Sequence, residues 1–380
     1  MKFSIRSFTK YFIILLVFIT NLSQLPFLIG NGLFKIVNYS FWLLSLIILI
    51  INKKNILIKN KYKIYFFYIF ILLISVFFVI FGKNGNTNII FPLSISMFVL
   101  FIGYNFGNIY KMEDFKLIAY SFIISGLIVA MSVFLQMISN GFSWTSRVYA
   151  YASKNSVSQI LVTVFILLAV FQQKQNKIFK LIFNFIFGLL FIELCMLKSR
   201  ASLLCIVFIL IYLISSKKVV KSTKTFFLIM FLVFIVLIMF YPNFKQFIID
   251  NIIFAGRDSN SLSSISSGRT EMLESFFQLF KEYPFFGHGN FYFENMQLGA
   301  LLEYGLIGGL VINIIAILPI IYAIKNYRLN SSINNQTLML LAISYYVNGF
   351  FEQLSPFGPG VKCYFLWFLY GLSLYWNKRS

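Results

Sequence analysis

Residues 225–240 read TFFLIMFLVFIVLIMF, an uncharged and mostly apolar run that ends where the chain turns polar at Tyr241. Similar runs fill most of the chain: hydrophobic residues make up 59% of its 380 residues, charged residues make up 11%, and the mean hydropathy is +0.84. A water-soluble fold of this length needs a far larger polar surface. The composition therefore predicts an all-α polytopic integral membrane protein.

About twelve membrane-spanning helices are predicted, because a bilayer core about 30 Å thick needs roughly 17–25 apolar residues for each crossing. We expect a single membrane domain over residues 1–380, with one large loop, residues 241–297, between the ninth and tenth helices. No cleavage site follows the basic residues 1–10, so the first span is predicted to be an anchor. The expected spans are residues 11–29, 36–52, 64–82, 89–107, 117–138, 156–171, 178–196, 201–215, 225–240, 298–324, 336–354 and 361–376.

The placement of lysine and arginine predicts the orientation. Of the 32 basic residues, 21 lie in or beside the segments that share a side with the N-terminus. Cytoplasmic loops carry such an excess, so we expect both termini in the cytoplasm and loop 241–297 on the extracytoplasmic face. The net charge of +21 is divided among short clusters between apolar runs. This distribution argues against nucleic acid as a partner.

Four of the seven arginines depart from this pattern, because the predicted topology places them on the outer side. The planar fork of an arginine side chain grips a phosphate with two hydrogen bonds and does not lose its charge. An outer cluster of arginines therefore indicates a lipid diphosphate headgroup. Cations anchored at the interface and loop ion pairs are the alternative. The four are Arg147, Arg200, Arg257 and Arg269.

Two of these arginines have neighbours suited to an anion site. Arg200 follows Lys198 and Ser199 at a tight turn and begins a predicted helix, whose free N–H groups add to the attraction for an anion. A simple topological stop is the alternative for this turn. Arg147 is followed by Lys154 near the same surface, which supplies a second cation.

The large loop contains its own helix signal. The run SSGRTE, residues 266–271, predicts the start of a helix over 271–281. Arg269 then stands at the helix N-terminus, where the dipole disfavours a cation, and this position suggests a bound anion. His288, the one histidine, is a candidate general base, and a loop residue without a catalytic role is the alternative. Several carboxylates compete for the same role: Glu271, Glu274, Glu282, Glu294 and Asp258.

Three carboxylates fall inside or at the rim of predicted spans, namely Glu193, Glu303 and Glu352. Burying a carboxylate in a membrane is costly, so each is a functional candidate. For Glu303, a structural pairing with an arginine is an equal alternative. The three cysteines, in or beside apolar spans, have neither disulfide nor metal-site spacing. No nucleotide phosphate loop or metal-binding carboxylate pair is evident, so neither a cofactor nor a metal is predicted.

Four motifs, taken in order, resemble the O-antigen ligase/polymerase superfamily. They are SRA at 199–201, SGR at 267–269, PFFGHG at 284–289 and LLEYGLIG at 301–308. Arg147 with Lys154-Asn155-Ser156 is similar to the family's block before a span, so the resemblance covers about residues 147–324. It implies a polytopic, GT-C-like membrane glycosyltransferase of the bacterial cytoplasmic membrane. Such enzymes take undecaprenyl-diphosphate-linked oligosaccharide as donor and use no metal.

The resemblance also implies roles for individual residues. Glu303 is carried over as a motif member near the reaction. The family's His-Asn pair is Glu294-Asn295 here, so Glu294 takes the place of the histidine that accepts the proton, as a positioned carboxylate can. This departure favours a Wzy-type polymerase over a ligase. The expected diphosphate and sugar contacts are Arg147, Lys154, Asn155, Arg200, Arg257, Arg269 and Asn295.

The sequence therefore predicts a repeat-unit polymerase for a surface polysaccharide such as capsule, exopolysaccharide or O-antigen. Its expected partners are the lipid-linked oligosaccharide, membrane lipids and a chain-length regulator. The alternatives are a ligase that moves finished chains to an acceptor and, from another class, a flippase for lipid-linked oligosaccharides. The flippase is less favoured because transporters usually show internal repeats, and none is evident between the two halves.

Overall fold

A computed structural model describes residues 5–51, 89–111, 113–146, 151–217, 219–254, 268–289, 292–357 and 363–376. Helices dominate these ranges, and no strand occurs within them. The α-helices are α1 (Ile5–Leu22), α2 (Gly32–Ile51), α3 (Ile90–Ile109), α4 (Asp114–Ser139), α5 (Lys154–Phe171), α6 (Lys177–Met196), α7 (Arg200–Ser215), α8 (Lys221–Phe240), α9 (Pro242–Phe247), α10 (Arg269–Glu282), α11 (Met296–Leu329), α12 (Ile333–Asn348) and α13 (Tyr364–Trp376). A 3₁₀ turn, Gln172–Lys174, follows α5, and a π-helix, Ile248–Ile253, follows α9.

The prediction of an all-α polytopic membrane protein is confirmed. Seven of the described helices are long and apolar enough to cross a membrane. Helix α8 shows the reason, because apolar side chains such as Ile229, Leu232 and Val236 are exposed along it and need lipid to cover them. A helix lies at each predicted span except the third, 64–82, which falls outside the described residues. The number of crossings stays a prediction.

The first helix differs from its predicted position. It was expected over 11–29, whereas α1 begins at Ile5 and ends at Leu22. Pro26 explains the early end, because proline has no backbone N–H and its ring clashes with the preceding helical turn. The apolar residues Phe27, Leu28 and Ile29 extend the hydropathy signal but lie in turns.

The described chain forms two compact units. The first consists of residues 1–23, 30–121 and 271–380, and the second consists of residues 24–29 and 122–270. The single membrane domain with an extracytoplasmic loop over 241–297 stays a prediction.

The first unit is built on the close contact between α3 and α13. Two glycines allow the helices to approach: Gly103 lies against the backbone of Phe368, and Gly371 lies against the backbone of Leu100. Small residues at such a crossing let membrane helices pack through their backbones. Trp367 of α13 is fully buried, and its indole N–H donates to the Pro356 carbonyl at 2.8 Å.

The second unit is centred on α5, in which every residue from Val157 to Phe171 is buried. Its core includes three phenylalanines from three helices. The ring of Phe165 in α5 lies 4.6 Å from that of Phe187 in α6. Phe227 of α8 completes the group at 5.1 Å from Phe187, measured between ring centroids.

Candidate active site

Helix α11 is broken at Gly305, and the chain doubles back there. Gly305 has φ 65° and ψ −169°, far from helical values. The side-chain amide of Asn313 donates to the Gln297 carbonyl at 2.9 Å. In a continuous helix these residues would be about 24 Å apart. Residues 296–304 and 306–329 are therefore two arms of a hairpin, which we call the first and second arms of α11.

The hairpin corrects the tenth predicted span, 298–324. A hydropathy average cannot register a reversal at one residue, so the sequence suggested one straight crossing. Only the second arm, residues 306–329, is long enough to cross a bilayer core by itself. The first arm belongs with the preceding loop segment, against which it packs.

The loop segment 284–289 occupies the break in α11. A helix break leaves carbonyl and N–H groups without their usual partners, and this segment satisfies four of them. The carbonyls of the first arm accept from the loop, and the N–H groups of the second arm donate to it. We call this arrangement the interlock. Its hydrogen bonds run from His288 N to Leu302 O (2.7 Å), Gly289 N to Glu303 O (3.1 Å), Leu306 N to Pro284 O (2.8 Å) and Ile307 N to Phe285 O (3.4 Å).

Two glycines make the interlock possible. Gly287 and Gly305 both have positive φ, 76° and 65°, a region that favours glycine. A Cβ atom on Gly287 would lie 2.5 Å from the Glu303 carbonyl and 2.6 Å from the Gly305 nitrogen. A Cβ atom on Gly305 would collide with the backbone of Phe285. The glycines of the two sequence motifs are therefore required by one shared contact.

The interlock holds a buried carboxylate. Glu303, the next-to-last residue of the first arm, is 1% exposed. The side-chain amide of Gln353 donates to its Oε1 at 2.7 Å, and Gln353 is itself buried. A buried carboxyl group needs such polar partners. Gln353 is a site residue that the sequence analysis missed, because it lies 50 residues away from Glu303 without a recognisable motif.

In the second unit, the Arg200 turn is anchored by a buried lysine. Lys198 is 3% exposed, and its Nζ donates to the carbonyls of Trp144 and Ser146, both at 2.6 Å. The hydroxyl of Ser199 donates to that of Ser202 at 3.0 Å. Arg200 begins α7, as predicted, and is half-buried. The turn thus joins an arginine to a helix N-terminus.

Residues 185–313 match the family model described as O-antigen ligase. The match extends from the middle of α6, through the Arg200 turn and the interlock, to Asn313 of the second arm. This match supports the O-antigen ligase/polymerase superfamily. The superfamily expectation from the sequence is therefore confirmed for roughly a third of the chain. A comparison with curated proteins gave no match.

The match to the O-antigen ligase model indicates a general function. It supports glycan transfer of the O-antigen ligase/polymerase type, a glycosyltransferase-type reaction in polysaccharide biosynthesis. The membrane helices agree with this setting, since seven of those that the structure describes are long and apolar enough to span a bilayer.

Within the matched residues 185–313, the segment before α11 contains two predicted site residues. Asn295 is the N-cap of α11, and its side-chain oxygen accepts from the Leu298 N–H at 3.0 Å. Glu294 is half-buried, and the hydroxyl of Tyr292 lies 3.4 Å from its Oε1. The Asn295 side chain thus has a capping role, whereas the Glu294 carboxylate remains partly open to solvent.

The ring of His288 caps the loop helix α10. Its Nε2 lies 2.6 Å from the Leu279 carbonyl in the last turn of that helix. Because a carbonyl only accepts, this nitrogen carries the proton and donates it. The ring also packs edge-on against Tyr283, with centroids 4.8 Å apart. This geometry favours the structural alternative for His288 over the role of general base.

A small apolar core holds α10 against the first arm. Its buried members are Phe276, Phe293 and Leu302. The predicted loop helix, 271–281, is observed as Arg269–Glu282. Three carboxylates that competed for the role of base lie on the exposed surface of this helix, away from the core, namely Glu271, Glu274 and Glu282. Partly buried residues that extend the core are Met272, Leu279, Phe280, Leu298 and Leu301.

The remaining arginines are only partly described. Arg269 begins α10, as expected, and is half-buried. Arg147 and Arg257 lie outside the described residues, as does the competing carboxylate Asp258. The roles of these arginines in diphosphate binding stay predictions.

Lys154 and Asn155 form the first turn of α5 in the second unit. The preceding residues are tied to Gln24: the Tyr151 hydroxyl donates to its backbone carbonyl at 2.8 Å, and the Ser153 hydroxyl donates to its side-chain oxygen at 2.7 Å. Burial raises the pKa of the Tyr151 hydroxyl well above its usual range. This tyrosine therefore stays protonated at neutral pH and is no candidate for a general base.

Among the described residues, no group of three or more His, Cys, Asp or Glu side chains is arranged to hold a metal ion. Cys195, Cys205 and Cys363 are buried free thiols. The candidate site residues described above offer hydrogen bonding and charge, which come from carboxylates, amides and arginines.

Proposed function

We propose that this protein polymerises undecaprenyl-diphosphate-linked oligosaccharide repeat units into a surface polysaccharide. The interlock carries the proposal, because it holds the buried Glu303 within a segment of the O-antigen ligase family. Backbone that is not helical is tolerated at membrane depth only where protein covers it or it lines a cavity. Broken helices of this kind place polar groups at substrate sites of membrane proteins.

The proposed reaction is a direct displacement. A hydroxyl of the acceptor sugar attacks the anomeric carbon of the donor chain and forms the new glycosidic bond. The bond from that carbon to the diphosphate oxygen breaks, and undecaprenyl diphosphate leaves with the electron pair. The proton of the hydroxyl passes to a carboxylate. This scheme inverts the anomeric configuration, and a retained configuration in the product linkage would rule it out.

Glu294 is the proposed proton acceptor. It occupies the position of the histidine in the family's His-Asn pair, and its carboxylate is partly open to solvent. His288 is the weaker candidate, because its Nε2 proton is committed to the Leu279 carbonyl. Glu303 is too deeply buried to meet the acceptor from solvent and is proposed to shape the polar environment of the reaction.

The outer arginines are proposed to stabilise the departing diphosphate. Negative charge develops on the leaving group, and donors fixed in advance stabilise it best. Arg200 supplies a guanidinium at the N-terminus of α7, where the helix dipole adds to the attraction for an anion. Arg147, Arg257 and Arg269 are proposed as further ligands, with Lys154, Asn155 and Asn295 nearby in the sequence pattern. In this scheme the arginines supply the positive charge, and the reaction needs no metal.

The orientation follows from the lysine distribution. The proposal places both termini in the cytoplasm and the loop over 241–297 on the outer face of a bacterial cytoplasmic membrane. Donor and acceptor saccharides would meet at that face, and a chain-length regulator would act on the growing polymer there.

A ligase is the second candidate, because the matching family model is described as O-antigen ligase. A ligase moves a finished chain to an acceptor by the same chemistry. The glutamate at position 294 favours the polymerase, since it replaces the histidine of the ligase pattern.

The deciding experiment is a gel of surface polysaccharide from a strain that lacks this gene, beside its complemented parent. Collapse of the ladder to single repeat units would establish the polymerase. Long lipid-linked chains without final attachment would identify a ligase, and units trapped on the cytoplasmic leaflet would identify a flippase. An unchanged ladder would remove the protein from this pathway.

A further inference from the structure

Lys198 has an unusual backbone for a lysine. Its φ of 51° makes it the one residue other than glycine with positive φ in the described part of the chain. The left-handed region is energetically unfavourable for an L-residue other than glycine. Such strain persists only where the surroundings enforce it, and it concentrates at functional sites.

The side chain of Lys198 is equally unusual, because its amine is buried. The side chain is 3% exposed, and its Nζ spans from the Arg200 turn to two carbonyls more than 50 residues earlier, those of Trp144 and Ser146. Both distances are 2.6 Å, the short range typical of charge-assisted hydrogen bonds. The lysine therefore fastens residues 144–146 to the turn that begins α7.

Residues 144–146, which accept the hydrogen bonds from Lys198, are themselves held by aromatic packing. The indole of Trp144 packs edge-to-face against Phe142, with centroids 5.0 Å apart, and against Phe247 at the end of α9, at 5.3 Å. Ser146 is followed in the sequence by Arg147. The two hydrogen bonds of Lys198 thus connect the Arg200 turn to residues 144–146, where Trp144 packs in an aromatic cluster. In the sequence, the same segment leads to Arg147, a second candidate diphosphate ligand.

We propose that Lys198 is a positioning residue that holds the Arg200 turn against residues 144–146, so that Arg200 meets the donor diphosphate in a fixed place. This inference rests on the proposed function and deepens it. Lys198 acts through Arg200 in this scheme, since its own Nζ is directed into the protein toward two carbonyls. Its removal should weaken diphosphate binding because Arg200 loses its fixed position.

The test is a double-mutant cycle on the full-length protein in lipid nanodiscs, titrated with undecaprenyl diphosphate. Lys198→Gly keeps the left-handed backbone at no cost but removes the amine, and it should weaken binding about tenfold. In an Arg200→Gln background the same change should weaken binding less than twofold, because coupled residues are not additive. Lys198→Arg should restore most of the affinity, and Lys177→Gln, which removes an exposed lysine of the same unit, should bind as the unmodified protein does.

Equal losses in the two backgrounds, or normal binding by Lys198→Gly, would overturn the positioning role. If Lys198→Gly does not fold, Lys198→Asn replaces it, because asparagine also tolerates left-handed backbone. Failure of the unmodified protein to bind undecaprenyl diphosphate would overturn the proposed function and this inference together. Normal binding by both the unmodified protein and Lys198→Gly would overturn this inference alone.

Discussion

Gly287 of the loop lies directly against Gly305 at the break in α11, so that a Cβ atom on Gly287 would come within 2.6 Å of the Gly305 nitrogen. Both residues have positive φ. The loop and the hairpin are therefore in direct backbone contact at this point. This contact explains why both the 284–289 motif and the 301–308 motif contain a glycine. The two motifs are separate in the sequence but lie together in the structure.

Substituting either glycine should disrupt this contact and destabilise the protein. Gly305→Ala places a methyl group against the Phe285 backbone and forces alanine into a left-handed conformation. We expect the free energy of unfolding to fall by roughly 2–5 kcal/mol, from strain and overpacking combined. Thermal unfolding in detergent would measure the change. Gly188→Ala is the matched control, because Gly188 lies within α6 with open space around its Cβ position. It should stabilise the protein slightly, and a similar loss in both variants would contradict the interlock.

Two substitutions of Glu303, which is paired with Gln353, distinguish an effect on stability from an effect on activity. Glu303→Ala leaves the Gln353 amide without its acceptor, which should cost roughly 1–3 kcal/mol of stability. Glu303→Gln keeps an oxygen for that hydrogen bond, so its unfolding temperature should stay close to the original. If the carboxyl group serves the reaction, Glu303→Gln still loses activity in the polysaccharide gel. The exposed Glu113→Gln should change neither property, and full activity of Glu303→Gln would limit Glu303 to a structural role.

His288 should matter for stability more than for catalysis. Its ring caps α10 through the Leu279 carbonyl, so His288→Ala should lower stability by about 1 kcal/mol. Polymer should still appear in a complementation assay at normal protein levels. An inactive but fully folded His288→Ala protein would instead support the alternative that the histidine is the base.

Glu294→Gln is expected to behave in the opposite way. The carboxylate is partly open to solvent and its hydrogen bond with the Tyr292 hydroxyl is long, at 3.4 Å, so stability should change little. Loss of a general base typically lowers the rate by roughly 10²–10⁴-fold. The measurement is the rate of polymer formation from purified lipid-linked repeat units. Undiminished turnover would exclude Glu294 as the proton acceptor.

Arg269→Lys tests whether the guanidinium of Arg269 binds the diphosphate through two hydrogen bonds. The charge survives, but the planar fork of donors does not, so binding by two parallel hydrogen bonds is lost. We expect polymer formation to fall about tenfold or more, since one bidentate contact is replaced by a point charge. Arg328→Lys, in the exposed last turn of α11, is the matched control and should be neutral. Equal activity of the two variants would favour the interface-anchor alternative for Arg269.

Much of this architecture could be read from local sequence. Apolar runs predict helices because each crossing must satisfy its own backbone hydrogen bonds. Helical residues were found at every predicted span within the described residues, although the helix at the tenth span is broken at Gly305. The loop helix α10 was also predicted, within two residues at its start and one at its end. Its signal is local: a capping sequence followed by apolar residues at helical spacing.

Tertiary structure decided the features that position the candidate site. The reversal at Gly305 occurs at one residue within an apolar run, and only the incoming loop makes it stable by satisfying the freed backbone groups. The partners of Glu303 and Lys198 lie about 50 residues away, so their roles depend on how helices pack. Chemistry set by residue type was therefore visible in the sequence. Chemistry set by contact between distant segments was not, because no local pattern records which carbonyl or carboxylate a side chain will meet.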